Sequence, residues 1–409
     1  MKLPRSDWTE QPGLASLIAA LGGEARFVGG AVRDSLLGVE VKDVDIATPL
    51  LPEEVMDRLT AASIKAIPTG IDHGTITAIL PGGPVEITTL RRDVSTDGRR
   101  ATVAFSDDWR EDAARRDFTI NALSADPETL DIFDYFGGLE DLERRQIRFI
   151  GSAAARISED HLRIMRYFRF LARFGLHELE AEAFQACVDA APRLEQLSRE
   201  RVADELMKLL ATDDPRLAVG KMLDTRIFDH IIAGTDERAA ALLDRLVPRE
   251  QAHAIAPDAV RRLVALFPKD PDEAGAIAKS LKLSKKLQRA IAQRLPAQAD
   301  GETPADAGPF LDEKDIRALA YRTGMDAARD IALLFADDTA LPDLLARLED
   351  WQPPRFPLTG GDLIERGLKP GPIVARTLAG IEQAWIAGGF PDEKWLREYV
   401  DGLDFSGGT

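Results

Sequence analysis

The chain has 409 residues, 45% hydrophobic and 30% charged, with a formal net charge of −17. That length allows two to four domains with sizeable cores, and the composition is that of a globular protein rather than a disordered or fibrous one. A single cysteine, Cys187, excludes internal disulfides and cysteine-rich zinc sites. No apolar run nears the ~20 residues of a membrane helix, and MKLPRSDWTE lacks an apolar signal core, so the expected compartment is the cytoplasm.

Residues 1 to about 145 alternate short β-type runs with short helical ones, which predicts an α+β head with a single mixed sheet. Strands are expected at Ala25–Val28, Asp43–Ala47, Thr75–Leu80, Val85–Leu90, Thr102–Phe105, Ala122–Ala125 and Asp131–Phe133. The segment FVGGAVRDSLLGVEVKDVDIA reads as strand, glycine turn, short helix and second strand. Gly29 and Gly30 let backbone approach a phosphate closely at a helix start. Arg33 can fork onto phosphate oxygens, with a local ion pair to Asp34 as the structural alternative. Asp43 and Asp45, at i and i+2 on a strand, point to one face and can share a divalent metal. A lone DxD is as often a turn or cap pair; the preceding GGAVRD favours the metal reading.

Glu86, in VEITT on a later strand, is a third carboxylate that could support the site or be an exposed strand residue. In RRDFTINAL, Arg116 is the better phosphate candidate. Asp117 is placed to cap a helix-like FTINAL, which overlaps the strand expected at Ala122. A glycine turn with a carboxylate pair and no Walker-type lysine points to nucleotidyl transfer, in which metal ions clamp the attacking and leaving oxygens.

After Gly151 the pattern becomes helical. One helix is expected over Ile157–Phe174, stopped by Gly175, another over Arg201–Leu210, and further turns over Leu217–Ile232. A polar break at Ala297–Gly308 and a Pro-rich link at Gln352–Thr359 punctuate the rest, and the final FSGGT is expected to fray. The expected parts are a head (1–145), an all-α neck (146–212), body (213–298) and tail (299–409).

Within EDHLRIMRYFRFLARFG, Asp160, Arg163, Arg166 and Arg169 recur every third residue. An amphipathic helix with ion pairs explains that spacing without further function. The alternative is base reading. Cytosine and adenine each present an amino donor beside a ring-nitrogen acceptor, which fits an accepting Asp160 and a donating Arg163; guanine and uracil present the reverse. Arg166 and Arg169 would then reach the triphosphate or the primer backbone. The net charge argues against a nucleic-acid partner, yet Asp141–Gly175 holds eight arginines against four carboxylates, and Lys279–Arg294 holds six cations and no acid.

FVGGAVRD, DVD, VEITTLR, RRDFTINAL, EDHLRIMRYFRFLARFG and SRERVADEL occur in the order that resembles class II tRNA nucleotidyltransferases, the CCA-adding enzymes and related bacterial poly(A) polymerases. LTGGDLIERGLKPGPIVARTLAGIEQAWIAGGF also looks like the tail of CCA-adding enzymes. The resemblance implies Mg²⁺ at Asp43 and Asp45, and binding of ATP or CTP by Gly30, Arg33, Arg116, Asp160, Arg163, Arg166 and Arg169. It further implies neck bracing by Glu200, Arg201 and Glu205, and a flexible loop at Thr89–Phe105 that takes part in switching from C to A addition. The implied partner is tRNA. No His-Asp dipeptide marks an appended phosphohydrolase domain. The acidic charge and the tail favour CCA addition over poly(A) synthesis; enzymes adding only CC or only A, and a silent RNA-binding module, are the remaining alternatives.

Overall fold

The computed structural model describes residues 1–97, 100–174, 179–232, 234–268, 270–295 and 315–403, and the side chains of all these except residues 72, 93–97, 100–103 and 315. The chain forms two compact units, Met1–Ala233 and Gly234–Thr409.

The first unit opens with helix α1 (Leu14–Ala20) and is built on one seven-stranded sheet. Its strands are β1 (Arg26–Val28), β2 (Val44–Thr48), β3 (Lys65–Gly70), β4 (Thr75–Leu80), β5 (Gly83–Thr89), β8 (Ser124–Ala125) and β9 (Ile132–Phe133), in the order β3-β4-β5-β2-β1-β8-β9. Only β2 and β5 run parallel, with Asp45 opposite Glu86; the other pairs are antiparallel. Every expected strand is present within a few residues. β3 and a strand over Arg91–Asp97 were missed, and β2 starts at Val44, so Asp43 lies just before the strand.

The segment expected as a loop at Thr89–Phe105 instead carries the antiparallel pair β6 (Arg91–Asp97) and β7 (Arg100–Phe105). Backbone pairing outweighs the low strand propensity of RRDVSTD.

Helices α2 (Gly30–Leu36), α3 (Pro52–Ala61), α4 (Trp109–Ala114) and α5 (Gly138–Glu143) accompany the sheet. FTINAL is one 3₁₀ turn, Thr119–Asn121, followed by β8; Asp117 caps no helix. Beyond Phe133 no strand occurs among the described residues.

The expected single helix over Ile157–Phe174 is two: α6 (Ala153–Glu159) and α7 (Leu162–Phe174). Asp160 between them is extended (φ −151°, ψ 106°), and its carboxylate accepts the Leu162 N–H at 3.1 Å. A short carboxylate that can satisfy a free helix-start N–H favours a new start over continuation. Helix α7 packs on an aromatic core: Phe118 meets Phe149 at 4.7 Å and Phe170 edge-on at 5.4 Å between ring centroids. Then follow α8 (Ala181–Ala190), α9 (Arg199–Leu210), whose first turn is capped by Ser198, and α10 (Arg216–Asp224).

Helices are the only regular elements among the described residues of the second unit. Its helices are α11 (Glu237–Ala252), α12 (Ala259–Leu266), α13 (Pro271–Ser280), α14 (Lys285–Ala292), α15 (Asp315–Thr323), α16 (Met325–Phe335), α17 (Leu341–Glu349), α18 (Gly360–Glu365), α19 (Pro372–Ala387) and α20 (Glu393–Asp401). A buried ionic cluster joins α11, α12, α16 and the turn after α14: Glu250 takes Arg261 at 2.6 Å and Arg262 at 2.7 Å, and Asp330 takes Arg261 at 2.7 Å and Arg294 at 2.6 Å. Arg294, last of the basic run, is thus a core residue, whereas Lys279, Lys285, Lys286 and Arg289 are exposed. Leu363, Ile381, Trp385, Leu396 and Val400 form a second core. Residues 297–308, 175 and 405–409 lie outside the described residues. No described helix is long and apolar enough to cross a membrane.

Candidate active site

The site is a cavity lined by the glycine turn after β1, the start of β2 and α7. β1 ends at Val28 and the chain turns at Gly29, whose φ of 64° favours a residue without a Cβ. A Cβ there would stand 2.9 Å from Arg116 Nη1. The Gly29 N–H donates to the Leu123 carbonyl at 3.1 Å, tying the turn to the entry of β8.

Arg33, on α2, is buried. It donates through Nε to Asp34 Oδ1 at 2.8 Å and through Nη1 to Asn121 Oδ1, and its guanidinium lies 5.0 Å from the Phe170 ring centre. Burial lowers its pKa, with the Asp34 charge opposing. The other Asp34 oxygen takes Arg173 Nη2 at 2.8 Å.

Asp43 is exposed and Asp45 half-buried at the start of β2. Burial raises the Asp45 pKa, the nearby charges of Glu86 and Asp43 add to that, and Arg116 opposes it. Crowded carboxylates of this kind are relieved by a cation. Among the described residues no group of three or more His, Cys, Asp or Glu forms a metal cage. Mg²⁺ rarely uses one, taking one or two carboxylates plus substrate phosphates, so an aspartate pair facing open space fits it. Glu86 is exposed beside Asp45 and acts on it as a neighbouring charge. Arg116 reaches the Asn121 carbonyl at 3.2 Å and Asp112 at 3.3 Å, and Arg115 takes the other Asp112 oxygen at 2.8 Å.

The four residues of the repeating stripe each have a different nearest partner. Asp160, ahead of α7, accepts Arg201 Nη2 from α9 at 2.6 Å. Arg163 donates to Glu159 and, at 2.8 Å, to the Arg156 carbonyl. Arg166 pairs with the buried Asp117 at 2.6 Å. Arg169 pairs with Glu205 of α9 at 2.7 Å and lies 4.4 Å from the Phe170 ring centre. Burial pushes the Asp117 carboxyl up, but Arg166, Asn121 and the Phe118 N–H together hold it below the usual range. Glu200 accepts from the Ser198 hydroxyl at 2.8 Å, at the start of α9.

A cavity of about 840 Å³ brings together Gly29, Gly30, Arg33, Asp43, Asp45, Arg116, Asp117, Asp160, Arg163, Arg166, Arg169 and Arg201. Glu86, Glu200 and Glu205 do not line it. Sequence reasoning missed Asn121, which bridges Asp117 and Arg33, and Phe170, the surface under Arg33 and Arg169. Both lie inside motifs already singled out. A carboxylate pair beside a glycine turn, opposite a set of directed arginines, is an arrangement suited to nucleotidyl transfer.

Residues 25–148 match the poly A polymerase head domain, and residues 178–238 match the probable RNA and SrmB-binding site of polymerase A. The mitochondrial CCA tRNA nucleotidyltransferase 1 of Mus musculus is 34% identical over 386 residues, 93% of this chain and 87% of the relative. The CCA-adding enzyme of Leuconostoc mesenteroides is 33% identical over 415 residues, 98% of each chain. The solved Bacillus stearothermophilus CCA-adding enzyme in complex with CTP is 30% identical, with a TM-score of 0.73 over 94% of this chain and 96% of that one. The chain belongs to the family of CCA-adding tRNA nucleotidyltransferases.

Proposed function

We propose that this protein adds CCA to the 3′ end of tRNA from CTP and ATP, without a template. The observation that carries the reading is the single cavity in which the Asp43–Asp45 pair and the Asp160–Arg163 pair both take part. One pair suits phosphoryl chemistry and the other suits a base edge, so the nucleotide is chosen by protein rather than by a template strand. The names of the relatives, and CTP in the complex of a 30%-identical neighbour, support the same substrates.

Asp160 and Arg163 are joined through the backbone, the Arg163 N–H donating to the Asp160 carbonyl at 3.0 Å, while their side chains pair with Arg201 and Glu159. A carboxylate offers about four lone-pair sites and a guanidinium five N–H donors, so their present partners leave capacity for a base edge. Arg201 holds the Asp160 carboxylate in place, and Glu159 orients Arg163. Gly29, Gly30, Arg33 and Arg116 line the phosphate end. Asp43 and Asp45 would hold Mg²⁺, which when bound stabilises charge on the attacking and leaving oxygens. The primer 3′-oxygen bonds to the α-phosphorus, the bond to the β-phosphate bridging oxygen breaks, pyrophosphate leaves, and the hydroxyl proton passes to water. In the four-part division of head, neck, body and tail, this site belongs to the head and neck.

Incubation of purified protein with Mg²⁺, CTP, ATP and either a tRNA lacking its 3′ end or a generic RNA tests the reading. Three added residues on the tRNA are expected; long poly(A) on both substrates would replace it with poly(A) synthesis.

A further inference from the structure

Arg33 lies on α2 of the head, yet much of its seat comes from the C-terminal end of α7. The Phe170 and Phe174 rings, parallel at 5.8 Å between centroids, stand 5.0 and 5.4 Å from its guanidinium carbon. Asp34 presents one oxygen, Oδ1, to Arg33 Nε at 2.8 Å and Nη2 at 2.7 Å. The other, Oδ2, takes Arg173 Nη2 at 2.8 Å. Arg33 and Phe170 line the cavity of the candidate site; Asp34, Arg173 and Phe174 do not.

A buried guanidinium with a carboxylate to itself forms a neutral pair, which attracts a phosphate weakly. Here two guanidiniums share one carboxylate, so the group keeps one positive charge. Arg173 also fixes the carboxylate. Without it, Asp34 would be free to turn both oxygens to Arg33 as a closed fork, taking up donors that otherwise face the cavity. Resting on the proposed function, we infer that Arg173 is a positioning residue for the triphosphate: it holds Asp34 so that Arg33 keeps its charge and its direction toward the phosphates. It does so through Asp34, without touching the nucleotide. The phosphates are common to CTP and ATP, so both substrates depend on Arg173 alike.

A mere brace between α7 and the head is the rival reading, and the test separates the two. In the full-length protein, Arg173→Ala removes both the charge and the hydrogen bond, Arg173→Gln removes only the charge, and Arg173→Lys keeps a cation. Arg173→Ala is expected to raise KM for CTP and for ATP by about tenfold each, the order of losing one charge-assisted hydrogen bond partly open to water. Competitive inhibition by inorganic tripolyphosphate, a probe with no base, should weaken by the same factor. Discrimination against GTP and UTP should stay unchanged, as should binding of tRNA measured by fluorescence anisotropy without nucleotide. Relative to Arg173→Ala, the lysine variant should recover most of the loss and the glutamine variant little of it. A lowered Tm with tripolyphosphate inhibition intact, or equal recovery by glutamine and lysine, would overturn the inference. If Arg173→Ala folds poorly, Arg173→Gln must still weaken tripolyphosphate inhibition, and unchanged inhibition refutes the inference. Absence of any nucleotide addition by the wild type would instead refute the proposed function.

Discussion

Asp117→Asn removes one charge from a buried carboxylate that lines the cavity. Asp117 accepts Arg166 at 2.6 Å, the Asn121 amide at 2.8 Å and the Phe118 N–H at 2.9 Å. Asparagine keeps the shape, but its amide cannot satisfy all three donors, and Arg166 is left facing Glu205 at 3.9 Å. Breaking a fully buried pair costs about 3–5 kcal/mol; the Arg166 side chain is one-third exposed, which lowers the expected cost to about 2–3 kcal/mol. For a unit of this size that corresponds to a fall in Tm of roughly 5–10 °C.

Scanning calorimetry of the full chain measures it, in the transition that CTP moves upward. The Asp117 carboxyl is held below its usual value in the folded state, so its contribution is complete at pH 7 and is lost as pH falls through and below the usual carboxylate pKa of about 3.9. The gap between wild type and variant should therefore shrink on acidification. A variant melting within 2 °C (about 1 kcal/mol or less) of wild type at pH 7, or a gap that widens at low pH, would refute the argument.

Asp160→Ala should relax discrimination against GTP and UTP by about tenfold or more, the effect of losing one good base-edge contact, while Mg²⁺ dependence is unchanged; misincorporation assays read it, and wild-type selectivity would contradict the base-edge argument. Glu250→Gln should destabilise the second unit by about 3 kcal/mol, because Arg261 and Arg262 would lose a buried counter-charge; denaturant unfolding measures this, and a stability change below about 1 kcal/mol would show the cluster to be dispensable. Because burial and neighbouring carboxylates raise the Asp45 pKa, protons should compete with Mg²⁺ at higher pH than for an ordinary aspartate; Mg²⁺ titrations that do not weaken with acidification would contradict this.

The sheet was legible because β5 alternates buried and exposed positions and β4 is a short, mostly buried apolar run, each between clear turns. β3 was not: it is largely exposed and carries Pro68, which argues against strand from sequence alone. The break at Asp160 was hidden because the apolar spacing of α6 and α7 continues across it, although a capping carboxylate marks the spot. The local motifs named the polar groups of the site but, apart from Asp34 beside Arg33, not their partners. Arg173 meets Asp34 across 139 positions and Arg166 meets Asp117 across 49, pairings that only packing of α7 against the head creates. What looked like one stripe is four separately held side chains, with partners on α6, on α9 and in the head.

The central claim is that one protein site chooses C and A for a tRNA end. Its most direct test is incorporation into tRNA ending one residue before CCA, with CTP alone, ATP alone and both. The account predicts two cytidines with CTP alone, no efficient addition with ATP alone, and CCA with both. Long adenosine tracts from ATP alone would contradict it.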